Sequence, residues 1–587
     1  MSVPVQLPVE NFATGDVSGL TSGGEAKGQR NNLSATITRR FQSLMVLVIV
    51  IVTAALFWKV LDNDFLLWDD DINITSNPHL GPLTGERLQW VFTDYSYVRR
   101  YVPFGWFSWC VIYSFAGLSS FAFHAATFLF HVLNAVLVFI FLRRLPGLKD
   151  EPEETSSRRM WRSGCVAAGT LFWALHPMRV ETVAWASGLL YTQALCCLLV
   201  AWLCFLKAQN NSGGWRKTAW QLASLAAYGI SLLTYPIGLG AVAVFFILSL
   251  LPFLQQAGGV WTLRLGWWRT VARQTSPYFL ATLLVLGATL FASTHGSSQW
   301  TPPKNLQEFS LLSRIMQVSY MLGHYVWKPW LPGNLCAVYT TLIGFDPWSP
   351  RFILQAVFVI GMTGLLVTFR RRAPFLLALW FCYLALLLPV SGPTISPHFP
   401  SDRYGYIVTL TWSVLLVALL WRICQYHRRG GLAAAVAALL VLSGVAFLSV
   451  NYLPVWKNSG TFFRYNSTQI DRPEYQASAF YRLGQWHGLR GEWPLAQAAF
   501  KEGLRLRPND TELNTDYGIA LGAAGEREAA EQQFRHALEL NPRNHLAHQY
   551  LGLLAKERGD LAQYEIHREA ADQLRRGQAL VNKTPAH

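Results

Sequence analysis

The chain has 587 residues, 52% of them hydrophobic and 14% charged, with a mean hydropathy of +0.23 and a net charge of +15. Soluble domains carry about 25% charged residues, so this balance excludes an ordinary water-soluble globular protein and points to lipid as the main solvent. The basic total fits the Lys/Arg bias of membrane-protein loops and gives no reason to expect a nucleic-acid partner; eight cysteines without a CxxC pair support neither a zinc site nor a disulfide framework.

Residues 1–42 are polar and read as a disordered cytoplasmic tail. The first apolar run starts near Leu44, too late for a cleaved signal peptide, so it reads as a retained helix. A span needs about 20 mostly apolar residues. Within a membrane domain of 43–452, the hydropathy places about eleven: 43–61, 121–142, 163–180, 189–207, 219–234, 236–254, 277–293, 352–369, 374–390, 404–423 and 432–452. Basic clusters follow every even-numbered span, among them Arg143, Arg144 and Lys149, then Lys207, Arg216 and Lys217, then Arg264, Arg269 and Arg273, and further on Arg370, Arg371 and Arg372. Those loops are expected in the cytoplasm. An odd span count then places the C-terminus outside. The stretches 104–119 and 313–331 are apolar and aromatic but break this parity, and read as interfacial or re-entrant helices.

A linker, 453–474, leads to three blocks of 34 residues: 475–508, 509–542 and 543–576. Pro508 and Pro542 coincide, as do Gly484, Gly518 and Gly552, and Phe500 and Phe534. This is the tetratricopeptide helix-turn-helix period. The third block departs at Tyr564 and Arg568, as a polar terminal cap would. Residues 577–587 form a tail. The fold class expected is all-α, a polytopic membrane domain followed by an α-helical repeat domain.

The chemistry-bearing residues fall in the loops. The first outer loop, 62–120, is acidic: Asp69, Asp70 and Asp71 follow Phe65-Leu66-Leu67-Trp68. Carboxylates beside a dry aromatic surface can act as bases or hold a divalent cation; a solvated loop or a helix cap is the plainer alternative. His176-Pro177-Met178-Arg179-Val180-Glu181 ends the third span, where ionisable groups are costly; an interfacial turn with snorkelling side chains explains them equally. In the loop 391–406, Asp402 and Arg403 could pair, or Arg403 could face a phosphate. Arg100, His324 and Lys328 add cations. Loop charges put all of these on one outer face. A base for an acceptor hydroxyl, with cations for a departing phosphate, suits transfer from a lipid phosphate.

The order Trp68-Asp69-Asp70, Asn77-Pro78, Tyr97…Arg100…Pro103, His124…His131…Asn134, His176-Pro177…Glu181, Lys328-Pro329-Trp330 and Asp402-Arg403-Tyr404…Tyr406 resembles GT-C glycosyltransferases of the transmembrane-and-tetratricopeptide-repeat type, which are similar to protein O-mannosyltransferases. The resemblance implies a polyprenyl- or dolichyl-phosphate sugar donor and inversion at the anomeric carbon. It implies Asp69 or Asp70 as catalytic base; the carboxylates themselves, apart from the resemblance, leave a magnesium or manganese ion possible at that pair. Arg403 and His176 are implied as donor-phosphate ligands and Glu181 as an acceptor-side or supporting group; Arg100 and Lys328, as cations of the same face, join the phosphate-binding candidates, and Asp71, Asp402 and Tyr404 join the acceptor-side or supporting ones. The acceptor would be a Ser or Thr of a secreted or membrane protein, held by the repeats. By analogy, three repeats suggest a bacterial inner membrane, with site and repeats facing the periplasm or exterior.

Three departures mark this chain. Gly188-Leu189-Leu190-Tyr191-Thr192 stands where related chains have Gly-Arg-x-Asp, Leu233-Thr234-Tyr235 where they have Leu-Ser-Lys, and Asp402-Arg403 where Glu-Arg is common. They point to a diverged sugar specificity or an inactive relative. A lipid-linked oligosaccharide ligase or polymerase, and a non-catalytic membrane-anchored repeat scaffold, are the rival readings; a transporter fits less well.

Overall fold

The computed structural model describes residues 21–149, 154–211, 213–256, 265–295, 304–393, 395–396, 398–426 and 428–581. The protein is an all-α, multi-pass membrane protein: among the described residues there are α-, 3-10 and π-helices and no strand. Among the described residues seven helices are long and apolar enough to cross a membrane: Ala35–Asp62, Ser120–Leu142, Ala186–Gln209, Pro236–Leu254, Gly266–His295, Pro350–Thr368 and Gly431–Trp456. An eighth forms if Asp402–Val408 and Leu410–Gln425, bent by 52° at Thr409, count as one.

All eleven expected spans fall on helices, but fewer have the length and apolarity to cross alone. The segment expected at 163–180 is the helix Ser156–Ala174. It begins in Arg158, Arg159 and Arg162, and it stops before Pro177, whose missing N–H and ring cannot continue a helix. Pro374–Val390 is apolar but short. The stretches 104–119 and 313–331 form helices of 14 and 17 residues, Pro103–Ala116 and Leu311–Trp327, below the length of a span. At the other end, the expected tail to residue 42 is shorter: the helix that runs to Phe57 starts at Thr21, since a formed helix extends at little cost once nucleated.

Several helices are interrupted, and the interruptions matter most for the site. Tyr235 is extended (φ −160°, ψ 129°) between the helix Gly214–Thr234 and the 3-10 turn Pro236–Ala241. Trp185 is extended between Val180–Ala184 and the turn Ala186–Gly188. Irregular backbone inside a membrane protein survives only where protein buries it or it lines a cavity. Here the breaks converge around one region.

After the last candidate span, the helix Ser459–Gln469 is fixed by a capping box between Asn458 and Thr461. Three helical hairpins follow: Pro473–Leu489 with Trp493–Leu506, Thr511–Ala523 with Arg527–Leu540, and His545–Glu557 with Leu561–Val581. Their repeated residues have a packing reason. A methyl at Gly484 would lie 2.5 Å from the Phe500 ring, and one at Gly518 would lie 2.7 Å from Phe534. The first two hairpins are therefore each closed by an aromatic ring laid on bare backbone. Gly491, Gly525 and Gly559 sit at the turns with φ of +70°, +89° and +83°, where a side chain would be strained. In the third hairpin Gly552 faces His567 Cβ at 3.4 Å instead of a ring.

Candidate active site

The acidic loop is stitched to two other parts of the chain. Asn63 Nδ2 donates to Ala184 O (3.0 Å), Asn73 Nδ2 to Ser187 Oγ (3.1 Å) and Trp185 Nε1 to Trp68 O (3.0 Å). On the other side, Asp64 N donates to Lys457 O (2.9 Å) and Leu67 N to Ser459 Oγ (2.9 Å). The loop thus spans the break at Trp185 and the start of the C-terminal region. Within it, Asp71–Thr75 forms a π-helical turn, a form enriched at functional sites.

Within this frame the two aspartates expected to act as a base have separate jobs. Asp70 is fully buried. Its Oδ1 accepts from Ser187 N (2.9 Å) and Ser187 Oγ (2.6 Å), and its Oδ2 from Leu66 N (3.0 Å). Burial pushes its pKa up to about 7, against the pull of those hydrogen bonds. Asp70 holds the loop, and neither of its oxygens is left to face a substrate. Asp69 points the other way. Its backbone is left-handed, φ 65°, a conformation that costs a non-glycine residue roughly 1–3 kcal/mol and gathers at functional sites. Burial raises its pKa as well, opposed by the charges of Arg100 and Arg403 and reinforced by Asp71. The expected Asp69–Asp70 metal pair does not fit this geometry, because Asp70 is fully buried and both of its oxygens already accept hydrogen bonds from the protein. Among the described residues no three His, Cys, Asp or Glu side chains gather as a metal-ligand set.

Asp69 lines two cavities. The first, about 330 Å³, is polar and cationic: Asp69 meets Arg99, Arg100 and Arg403, with Tyr191, Tyr235, Tyr404 and His398 as its aromatic wall. Val98 and Arg99, which also line it, have φ of 48° and 54°, so three strained residues share one cavity. The second, about 360 Å³, is bounded by Asp69, Asp71 and Arg403 on one side. Phe462 and Phe463, and Ser478 and Arg482 of the first C-terminal hairpin, close the other. Asp69 and Arg403 form part of the wall of both.

Arg403 is held from three directions. Its Nη1 pairs with Glu181 Oε1, its backbone N–H donates to Glu181 Oε2 (2.9 Å) and its Nε donates to Tyr191 OH (3.1 Å). The guanidinium also lies 5.3 Å from the Trp185 and Tyr404 ring centroids, a cation–π arrangement. Tyr191 OH in turn donates to Tyr235 OH (3.3 Å), with ring centroids 4.7 Å apart. The two segments at 188–192 and 233–235, which the sequence marks as departures from the pattern it resembles, therefore meet in space through their tyrosines.

The remaining expected residues divide cleanly. Arg100, Arg403 and Tyr404 line the cationic cavity, and Asp71 lines the second. His176 lines neither. One ring nitrogen contacts Pro329 O (2.8 Å), and Nδ1 accepts from Met178 N (3.2 Å); both are spent on capping a turn. Lys328 Nζ donates to Gly333 O (2.7 Å) and so closes a turn beside the left-handed Asn334. Glu181 anchors Arg403 from behind. Asp402 is fully buried and accepts from Tyr339 OH (2.9 Å). The sequence marks these positions by their polarity beside apolar runs, which does not tell a polar group spent within the protein from one facing a cavity. Sequence reasoning misses Tyr191, Tyr235 and His398 as cavity residues; the first two are visible only as departures from the resemblance.

The fit is tight at Gly188, next to Ser187. A methyl there would lie 2.0 Å from Thr182 O. Backbone must move to house it, so Gly188→Ala is expected to cost about 1–3 kcal/mol and to loosen the Ser187–Asp70 contact. Thermal unfolding in detergent beside an activity assay would register both effects.

No protein-family model matches the chain, and no curated protein matches it. Among solved structures, ArnT from Cupriavidus metallidurans bound to undecaprenyl phosphate is 16% identical, over 86% of this chain and 80% of that one, with a TM-score of 0.36. The apo form of the same protein is 17% identical over 75% of this chain and 80% of that one, with a TM-score of 0.32. TM-scores this low do not establish a shared helix arrangement.

Proposed function

We propose that the chain is a membrane glycosyltransferase of GT-C type that transfers a sugar from a polyprenyl-phosphate donor to a hydroxyl acceptor. One observation carries this reading: Asp69, held in a strained backbone between Arg100 and Arg403, is shared by two adjoining cavities of different character. The cationic cavity suits a lipid monophosphate, since Arg presents planar, permanently charged donors to phosphate oxygens. The second suits an acceptor. Asp69 takes the proton of the acceptor hydroxyl, the hydroxyl oxygen attacks the anomeric carbon, and the bond from that carbon to the phosphate oxygen breaks. The lipid phosphate departs with the bonding pair, and Arg100 and Arg403 stabilise its charge. Attack opposite the leaving group inverts the anomeric centre.

The three hairpins are read as tetratricopeptide repeats. The first supplies Ser478 and Arg482 to the cavity assigned to the acceptor, which favours an acceptor protein held partly by the repeats. On this reading the site and the repeats lie together on the extracytoplasmic face of a bacterial inner membrane. The test uses the purified full-length protein in vesicles, with polyprenyl-phosphate-linked sugars and a Ser/Thr-containing acceptor, followed by mass spectrometry. The expected result is a gain of one sugar that Arg100→Gln abolishes. Addition of a whole glycan from a lipid diphosphate would favour a ligase, and no transfer from any lipid-linked sugar would sink the proposal.

A further inference from the structure

Away from Asp69, the helices Gly214–Thr234 and Leu265–His295 enclose a groove of about 660 Å³. Its upper walls repeat at helical spacing. Lys217 and Gln221 stand four residues apart on one helix, and Arg269 and Arg273 four apart on the other, with Thr218 and Thr270 beside them. Below lie Leu222, Leu225 and Pro277. Tyr278 also lines the groove, and paired hydroxyls join the two helices: Tyr278 OH donates to Ser224 Oγ (2.8 Å), and Tyr228 OH and Thr282 Oγ1 are 2.8 Å apart.

Among the described residues no carboxylate lines the groove, and the sequence of this region is poor in acidic residues. Between Glu154 and Glu308 the chain has a single acidic residue, Glu181, which is committed to Arg403. Lys207, Arg216, Lys217, Arg264, Arg269 and Arg273 all fall in that interval. Like charges four apart on a helix repel, so the cluster calls for an outside anion. Its depth is also marked. The helix Leu265–His295 has 31 residues, more than the hydrocarbon core requires, so its first turns reach the interface. Trp215, which is exposed, and Trp220, with Lys207 Nζ 3.8 Å from its ring centroid, flank that level, as interfacial tryptophans do.

We propose that this groove binds the phosphate headgroup of an anionic membrane lipid, its acyl chains running over Leu222, Leu225 and Pro277. Basic pockets between membrane helices suit such headgroups. The site is separate from the one assigned to catalysis and does not depend on that assignment.

The test is native mass spectrometry of the full-length protein in detergent, titrated with phosphatidylglycerol and, separately, with phosphatidylcholine. The wild type is expected to retain phosphatidylglycerol in preference. The variant Lys217→Gln/Arg269→Gln/Arg273→Gln is expected to bind it roughly a hundredfold more weakly, about fivefold per cation. Arg269→Lys with Arg273→Lys should retain binding. Single variants Arg269→Gln and Arg273→Gln, each losing about fivefold, give the same reading should the triple variant misfold. Equal retention of both lipids would overturn the proposal. So would unchanged binding in the groove variants, an equal loss in the remote control Arg370→Gln/Arg371→Gln/Arg372→Gln, or displacement by millimolar inorganic phosphate, which would mark an adventitious anion site.

Discussion

Replacing Asp69 with Asn is expected to lower sugar transfer by about 10²–10⁴-fold, the usual contribution of a positioned base, while leaving the protein folded. The substitution keeps the shape and removes the ability to accept the proton. Asp70→Asn should behave in the opposite way. Its amide would turn N–H groups toward a shell made of donors, Leu66 N, Ser187 N and Ser187 Oγ. Leaving such a group unsatisfied costs about 1–3 kcal/mol, which thermal unfolding would read. The two carboxylates also separate by pH. Asp69 must be ionised to act, and its pKa is raised, chiefly by burial, so the rate should rise with pH above the ordinary carboxylate range. Asp70 has its pKa raised from 3.8 to about 7. Its stabilising contribution is therefore fully present below about pH 4 and is lost as pH rises through about 7. In Asp70→Asn that slope should flatten. If Asp70→Asn removed activity as completely as Asp69→Asn with stability unchanged, the division of labour would be wrong.

The fold class was readable because it rests on patterns that survive in one dimension. Apolar runs of span length mark the membrane helices, and the Gly484–Phe500 spacing recurs as Gly518–Phe534 because each glycine makes room for a ring. The site was readable only as a set of candidates. Asp69 and Asp70 are adjacent and chemically identical, and their difference lies in Ser187, more than a hundred residues away. His176 and Lys328 looked like phosphate ligands because polar groups at the edges of apolar runs are costly. What resolves that cost is a pair of carbonyls, Pro329 O and Gly333 O, which no composition or spacing reveals. Tyr191 and Tyr235 carry no charge to draw notice, and they reach the cavity only because helices break at Trp185 and Tyr235.

The second large effect concerns Arg403 and Glu181. The Glu181 side chain is completely sealed, whereas that of Arg403 keeps 14% of its surface exposed. Removing either partner of a buried pair typically costs about 3–5 kcal/mol, but here the two removals should differ in kind. In Glu181→Gln, Arg403 stays charged with an opening into two cavities and with Trp185 and Tyr404 to stack on, so the loss falls mainly on its position. In Arg403→Gln, Glu181 has no such outlet. Burial already raises its pKa, and Arg403 is the chief group holding it down. Without that charge the carboxyl takes up a proton, and the variant should be most stable at low pH and weaken as pH rises through the raised pKa. Transfer should fall by about 10²–10³-fold, the scale of losing one charge-stabilising donor. The double variant Glu181→Gln/Arg403→Gln should be less destabilised than the sum of the two, because neither residue is left as an uncompensated buried charge. Additive losses in that cycle, with no pH dependence in Arg403→Gln, would show that the pair is not the anchor of the cationic cavity.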